Sequence, residues 1–241
     1  MARDGAGLAP QLTLDLAGAP EFGARDFFVG GSNEAAARLI GRWPDWPDCV
    51  LLLNGPAGSG KSHLGAIWAA RARARRLRAA DLEASGPAAL AREPALLIED
   101  LDALTPAGGR AFFHLLNLVR ERALPTLLTA REAPERLGVE PPDLLSRLRL
   151  APRVEIGAPD DALMRMVLGK LLTDRQLAPD PQLVAYAAAR LDSSLDAARR
   201  FVEALDREAL ARKSRVTRRL AGQVLAAIGA PAGEEEDEEE F

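Results

Sequence analysis

Val50-Leu51-Leu52-Leu53-Asn54-Gly55-Pro56-Ala57-Gly58-Ser59-Gly60-Lys61-Ser62 joins an uninterrupted apolar run to a glycine-rich turn and then to a helix-forming segment. The run has the length and the flanking turn signal of a strand buried on both faces. Residues 55–62 match the P-loop pattern in full. Glycines let backbone N–H groups turn inward around phosphate oxygens, and the start of the helix adds its partial positive charge. Lys61 is placed to meet β- and γ-phosphates, and the Ser62 hydroxyl to ligate Mg²⁺. Gly55, Gly58, Ser59, Gly60, Lys61, Ser62 and the following His63 are the candidate nucleotide-binding residues. The chain has only three lysines, Lys61, Lys170 and Lys213, among 31 basic residues, so a lysine at this position stands out.

Downstream, the P-loop helix is expected to run from about residue 61 to 77. A second apolar run, Ala95-Leu96-Leu97-Ile98, ends in Glu99-Asp100-Leu101-Asp102. This looks like a Walker B element, in which one carboxylate holds the metal through water and its neighbour polarises the attacking water. Glu99 and Asp100 are the candidates, and Asp102 reads as a turn or cap residue. A helix with Phe112, Phe113, Leu115, Leu116 and Val119 on its apolar side follows. Thr126-Leu127-Leu128-Thr129 is the next strand, with Thr129 at its tip as a candidate sensor of the γ-phosphate, and Arg153-Val154-Glu155-Ile156 is the last. Strands alternating with helices predict an α/β fold with a parallel, doubly wound sheet.

After Pro159 the pattern changes. Apolar residues recur at helical spacing from 160 to 228, with Pro179 and Pro181 dividing one helix from the next. The division expected is an arm over 1–22, an α/β nucleotide-binding domain over 23–158, a lid of three or four helices over 159–229, and a disordered acidic tail over 230–241.

Composition narrows the class. With 241 residues, 48% of them apolar and 27% charged, the chain suits one large α/β domain or two small ones and is neither a disulfide mini-protein nor a disordered chain. One cysteine, Cys49, and two histidines, His63 and His114, exclude an intrachain disulfide and a His/Cys zinc cluster. No apolar run approaches the roughly 18 to 20 residues of a membrane span, and Asp4 and Asp15 stand where a signal peptide needs an apolar core. The expected setting is cytoplasmic. The net charge of -4 combines two parts: residues 234–240 are seven acids, and the rest carries 31 basic residues against 28 acidic ones.

Gly60-Lys61-Ser62-His63-Leu64, Phe112-Phe113-His114 with Asn117, and Leu144-Leu145-Ser146-Arg147-Leu148 resemble, in order and spacing, the AAA+ module of the bacterial replication initiator DnaA. The resemblance covers roughly residues 21–228. Asp26-Phe27-Phe28-Val29-Gly30 with Ser32-Asn33-Glu34 is similar to the segment that packs on adenine in that family, which implies Phe28 and Val29 as nucleotide contacts. The resemblance also implies bound ADP or ATP with Mg²⁺. It gives Arg147 the role of an arginine finger, presented at a subunit edge to the γ-phosphate of a neighbour's ATP.

Gln11-Leu12-Thr13-Leu14-Asp15-Leu16 resembles the short glutamine-leucine peptide that docks on the DNA polymerase sliding clamp. Gln11 would bond the pocket rim, and Leu12, Leu14 and Leu16, on one side of an extended segment, would fill it. The family's DNA-reading helix-turn-helix domain has no counterpart in this sequence, and the acidic tail would repel phosphate, so sequence-specific DNA binding is not expected. Together these features resemble the DnaA-related AAA+ regulatory inactivators of alphaproteobacterial type. That implies a negative regulator of replication initiation that binds the β clamp of DNA polymerase III and stimulates ATP hydrolysis by DnaA in trans. It also implies a nucleoid-associated location, no membrane partner, and room for homo-oligomers.

Two departures qualify the resemblance. Glu99 replaces the usual first Walker B aspartate. The lid's sensor arginine is expected near the start of the helix containing 195–205, where Ser193, Ser194 and Asp196 stand, with Arg199 and Arg200 about a turn late. Both imply weak hydrolysis by this chain itself and a role with ADP bound. The rival expectations are a DnaA-like AAA+ ATPase acting as helicase loader or DNA-remodelling motor, and a nucleotide-binding adaptor that the clamp merely localises.

Overall fold

The computed structural model describes residues 27–178 and 180–229. The clamp-peptide residues Gln11, Leu12, Leu14 and Leu16 and the acidic residues 234–240 lie outside them.

Helix α1 (Glu34–Gly41) leads to strand β1 (Val50–Asn54), buried at every position, and helix α2 (Lys61–Ala72) follows the P-loop. Strand β2 (Arg75–Arg78) and two short helices, α3 (Leu82–Ser85) and α4 (Pro87–Leu90), come next. Then β3 (Leu96–Glu99), α5 (Pro106–Glu121), β4 (Thr126–Ala130), α6 (Pro142–Leu150) and β5 (Arg153–Glu155) complete the α/β part. The chain continues as α7 (Asp161–Asp174), α8 (Pro181–Ala188), α9 (Leu195–Ala211) and α10 (Arg218–Gly229). None of the described helices is long and apolar enough to cross a membrane.

The five strands form one parallel sheet in the order β2-β3-β4-β1-β5. Strand β1 lies between β4 and β5, with Leu53 opposite both Thr129 and Val154. Its residues alternate between the two cores: Val50 and Leu52 face one layer with Phe112, Leu115 and Leu116, while Leu51 and Leu53 face the other with Ile40 and Trp68. Helices cover both faces, as an all-parallel sheet requires. A third core, built on Leu168, Leu183, Phe201, Leu205 and Leu220, belongs to α7–α10. Side-chain caps mark several helix starts: Thr105 accepts from Gly108 N, Asp160 from Leu163 N, and Ser194 from Ala197 N.

One element differs from the sequence expectation. The P-loop helix ends at Ala72, five residues short of 77, and Arg73 takes a left-handed conformation with φ 53°. The chain then forms β2, a strand at the edge of the sheet. Arg75, Arg76 and Arg78 lie open to water and Leu77 packs inward, so the strand has one inward apolar residue where a central strand has a full run. An edge strand with so short an apolar signal reads as an amphipathic helix end.

Candidate nucleotide-binding site

The P-loop runs between the carboxyl end of β1 and the first turn of α2, at the point where the sheet order departs from sequence order. Ligands of open α/β sheets bind at such a crevice. Gly58 (φ 69°) and Gly60 (φ 102°) take positive φ, which turns the loop back on itself. Lys61 is 8% exposed and its ammonium donates to the carbonyls of Gly55 (2.7 Å) and Pro56 (2.8 Å). Burial pushes Lys61 below its ordinary value near 10.5; Arg131 acts in the same direction, while Asp102, Asp100 and Asp196 oppose it. The Ser59 hydroxyl and Asn54 Oδ1 are buried at the loop without a protein hydrogen-bond partner. Ser62 is exposed and His63 is buried, with Phe27 edge-on to its ring at 5.3 Å. A buried cation, orphaned polar atoms and a loop turned by positive-φ glycines suit a polyphosphate.

The acids at the tip of β3 are engaged differently from one another. Glu99 Oε2 accepts from Arg76 at 3.0 Å, and Asp100 Oδ2 from Arg78 at 3.2 Å, so both candidate metal-side carboxylates are paired with β2. Asp102 accepts from the backbone N–H groups of Arg131 and Glu132, fixing the turn after β4 in keeping with its reading as a turn residue. Thr129 is buried and its hydroxyl accepts from Asp100 N at 3.2 Å, linking the tips of β3 and β4. Of the oxygen donors that the sequence reading assigns to Mg²⁺, Ser62 is exposed at the P-loop and the carboxylates of Glu99 and Asp100 are held by the arginines of β2.

The lid closes the other side. Leu195 N donates to Gly58 O at 2.8 Å. A small cavity of about 70 Å³ beside the P-loop is lined by Gly60, Lys61, Ser62, His63, Asp196 and Arg199, among others. Arg199, a turn later than the sequence pattern asks of a lid arginine, thus reaches the loop all the same. Ser194 caps α9, so Leu195, Asp196 and Arg199 fall on one helix face and that face meets the loop. The cap and the helical spacing are both present in the sequence, but the face of α9 that meets the loop is set by the lid's own core.

The segment before α1 borders the loop as well. Phe27, beside His63 and Gly60, is the aromatic at the loop. Phe28 offers a backbone carbonyl to Asn33 Nδ2, and Val29 is 55% exposed. Buried Asn33 also accepts from Gly30 N, which pins this segment, and Gly157 N donates to Ser32 O to tie it to the sheet. Arg147 lies elsewhere: its guanidinium sits 4.7 Å from the Phe113 ring centroid, and it is not part of the lining of the P-loop cavity.

The sheet order, the P-loop and the helical lid are arranged as in an AAA+ fold. Solved structures agree with that class. Domain III of the Thermotoga maritima replication initiation protein DnaA superposes with a TM-score of 0.72 at 18% identity, covering 88% of this chain and 98% of that one. AMPPCP-bound DnaA from Aquifex aeolicus gives 0.69 at 18% identity over 80% of this chain and 69% of that chain, and the FIGL-1 AAA domain in complex with ADP gives 0.66 at 18% over 88% and 85%. No family model matches the chain, and no curated protein matches it. The fold is therefore that of DnaA-like AAA+ domains, shared at low sequence identity.

Proposed function

We propose that this chain is a nucleotide-bound regulator of replication initiation of the Hda type, which holds ADP or ATP with Mg²⁺ and promotes ATP hydrolysis in DnaA. The observation that carries the reading is the likeness to DnaA domain III over nearly the whole of that domain. A chain built on the same fold can take a subunit's place beside DnaA in an AAA+ stack. Arg147 supports the finger role, because its guanidinium rests on Phe113 apart from the chain's own P-loop cavity. In a neighbour's site its charge would stabilise the phosphoryl-transfer transition state. Gln11, Leu12, Leu14 and Leu16 would tether the complex to the sliding clamp, placing it where replication has begun.

Arg147→Ala tests the reading. It should abolish stimulation of DnaA-bound ATP hydrolysis while clamp binding by pull-down persists; unchanged stimulation would sink the finger. Removing residues 11–16 should have the opposite effect, losing the clamp and keeping nucleotide binding.

A second reading has one observation in its favour. Arg199 lines the chain's own P-loop cavity, a placement that would serve γ-phosphate recognition and turnover by this chain, as in a helicase loader or DNA-remodelling motor. That reading requires DNA-stimulated hydrolysis by the purified chain and indifference to residues 11–16.

A further inference from the structure

The lid carries a second concavity that nucleotide chemistry does not use. A groove of about 440 Å³ opens between the end of α8, the outer face of α9 and the last turn of α10. Its floor is apolar, from Leu191, Ala197, Ala204, Leu225 and Ile228, and Arg190, Arg200 and Arg207 stand around it. Arg200 and Arg207 are exposed and have no ion pair among the described residues. Of the two acids at the groove, Glu203 is already held by Arg175 at 3.3 Å, which leaves Asp192. Arg190 and Arg218 both lie on the Tyr186 ring, at 3.9 and 4.6 Å from its centroid, and extend the cationic surface along α8.

Gly229, the last residue of α10, is itself part of the groove wall. The chain continues from it through Ala230-Pro231-Ala232-Gly233, without charge, into Glu234-Glu235-Glu236-Asp237-Glu238-Glu239-Glu240 and then Phe241. Glu234 is five residues beyond Gly229 and so at most about 18 Å from it, which keeps the first acids in the neighbourhood of the groove. Tethering of this kind sets a local concentration of about a millimolar or more, which makes even weak ion pairs competitive. We propose that the acidic segment 234–240 docks in cis on this groove, its carboxylates on Arg190, Arg200 and Arg207. A nucleic acid would meet the same arginines, but the apolar floor offers its phosphates nothing and the tethered acids exclude it.

The position gives the contact a consequence. Asp196 and Arg199, in the first turns of α9, line the P-loop cavity, and Ala197, Arg200, Ala204 and Arg207 of the same helix line the groove. A docked tail therefore bears on the same helix that meets the nucleotide.

Hydrogen exchange of the full chain at low ionic strength tests this, against a variant in which residues 234–240 become their amides (Glu→Gln, Asp→Asn). That variant changes no described residue. Amides of 221–229 and of the groove side of α9 should exchange about tenfold more slowly in the wild type, and about 1 M salt should erase the difference. Arg200→Gln with Arg207→Gln should reproduce the loss, and combining it with the amide tail should add nothing further. Equal exchange in wild type and amide variant overturns the proposal. So does protection that survives the arginine changes, or that grows with protein concentration and so belongs to a second copy. A duplex oligonucleotide that protects the groove equally with either tail would assign the surface to nucleic acid instead.

Discussion

The α/β part and the lid meet at the P-loop, and they bring different kinds of group to it. The α/β side contributes backbone: positive-φ glycines and the carbonyls of Gly55 and Pro56 that hold Lys61. The lid contributes side chains, Asp196 and Arg199, delivered by one backbone bond from Leu195 to Gly58 and the tip of a capped helix. A site made of backbone is fixed once the strand and helix form, whereas a site made of side chains on a separate core depends on how that core is seated. The nucleotide's anchoring should thus belong to the α/β side and its discrimination to the lid.

The sharpest test of that division is Lys61→Ala. It removes a buried cation whose bonds to phosphate, like other bonds to charged groups, are worth about 1.5–3 kcal/mol, or roughly 10- to 150-fold in affinity. Titration with a fluorescent ADP or ATP analogue should give a similar loss for both, because the anchoring is common to them. Unaltered affinity would remove the P-loop from the mechanism.

Gly58→Ala tests the seam. Its φ of 69° costs an alanine about 1–2 kcal/mol, and a Cβ there would stand 1.9 Å from Ser194 Oγ, on the lid. Gly86, with φ 70° and nothing within 4 Å of such a Cβ, carries the strain without the clash. Denaturant melts should show Gly58→Ala as the more destabilised of the two, with Ser194→Gly recovering part of the excess. Equal losses would mean that the lid yields freely and that the seam is soft.

Arg199→Ala should act on selectivity. It lies on a half-exposed helix face, so stability should change by no more than about 0.5 kcal/mol, while preference for ATP over ADP falls about tenfold, close to 1.4 kcal/mol. Parallel loss for both nucleotides would place Arg199 with the anchoring groups.

A smaller effect is expected at the metal side. Arg76→Gln with Arg78→Gln frees Glu99 and Asp100 from partners at 3.0 and 3.2 Å. These pairs are partly open to water and worth at most about 1 kcal/mol each, so basal hydrolysis should rise several-fold at limiting Mg²⁺. A fall in hydrolysis would make the arginines part of the working site.

What is legible in the sequence follows the same division. The strands of the sheet's centre and the P-loop announce themselves because each local segment states its own conformation: a fully buried run, then glycines, then a lysine. Edge strand β2 does not, since Arg75-Arg76-Leu77-Arg78 has one apolar residue and becomes a strand only by pairing with β3. Phe27 is the aromatic at the loop, beside a segment that Asn33 pins through Gly30 N and Phe28 O, and no hydrophobic pattern announces that arrangement. Arg199 is legible in part: Ser194 marks the helix start, but which face meets the P-loop depends on the lid's own core.

The least of the expected effects concerns protons. Lys61 in the nucleotide-free chain is held below its ordinary value, chiefly by burial. Phosphate oxygens beside the ammonium favour its charged form, so the bound state has the higher value. Between the two, the complex holds more protons than its free components, and binding takes up a proton. Nucleotide affinity is therefore full on the acid side of the free-state value and declines as pH rises through it, by at most tenfold per pH unit. Calorimetric titrations over the alkaline range, where the phosphates are already ionised, isolate this group by comparison with Lys61→Ala. Lys61→Ala should bind weakly at every pH in that range, with a flat profile. The same slope in both proteins would assign the proton to another group; a slope only in the wild type would place the anchoring charge on the α/β side of the seam.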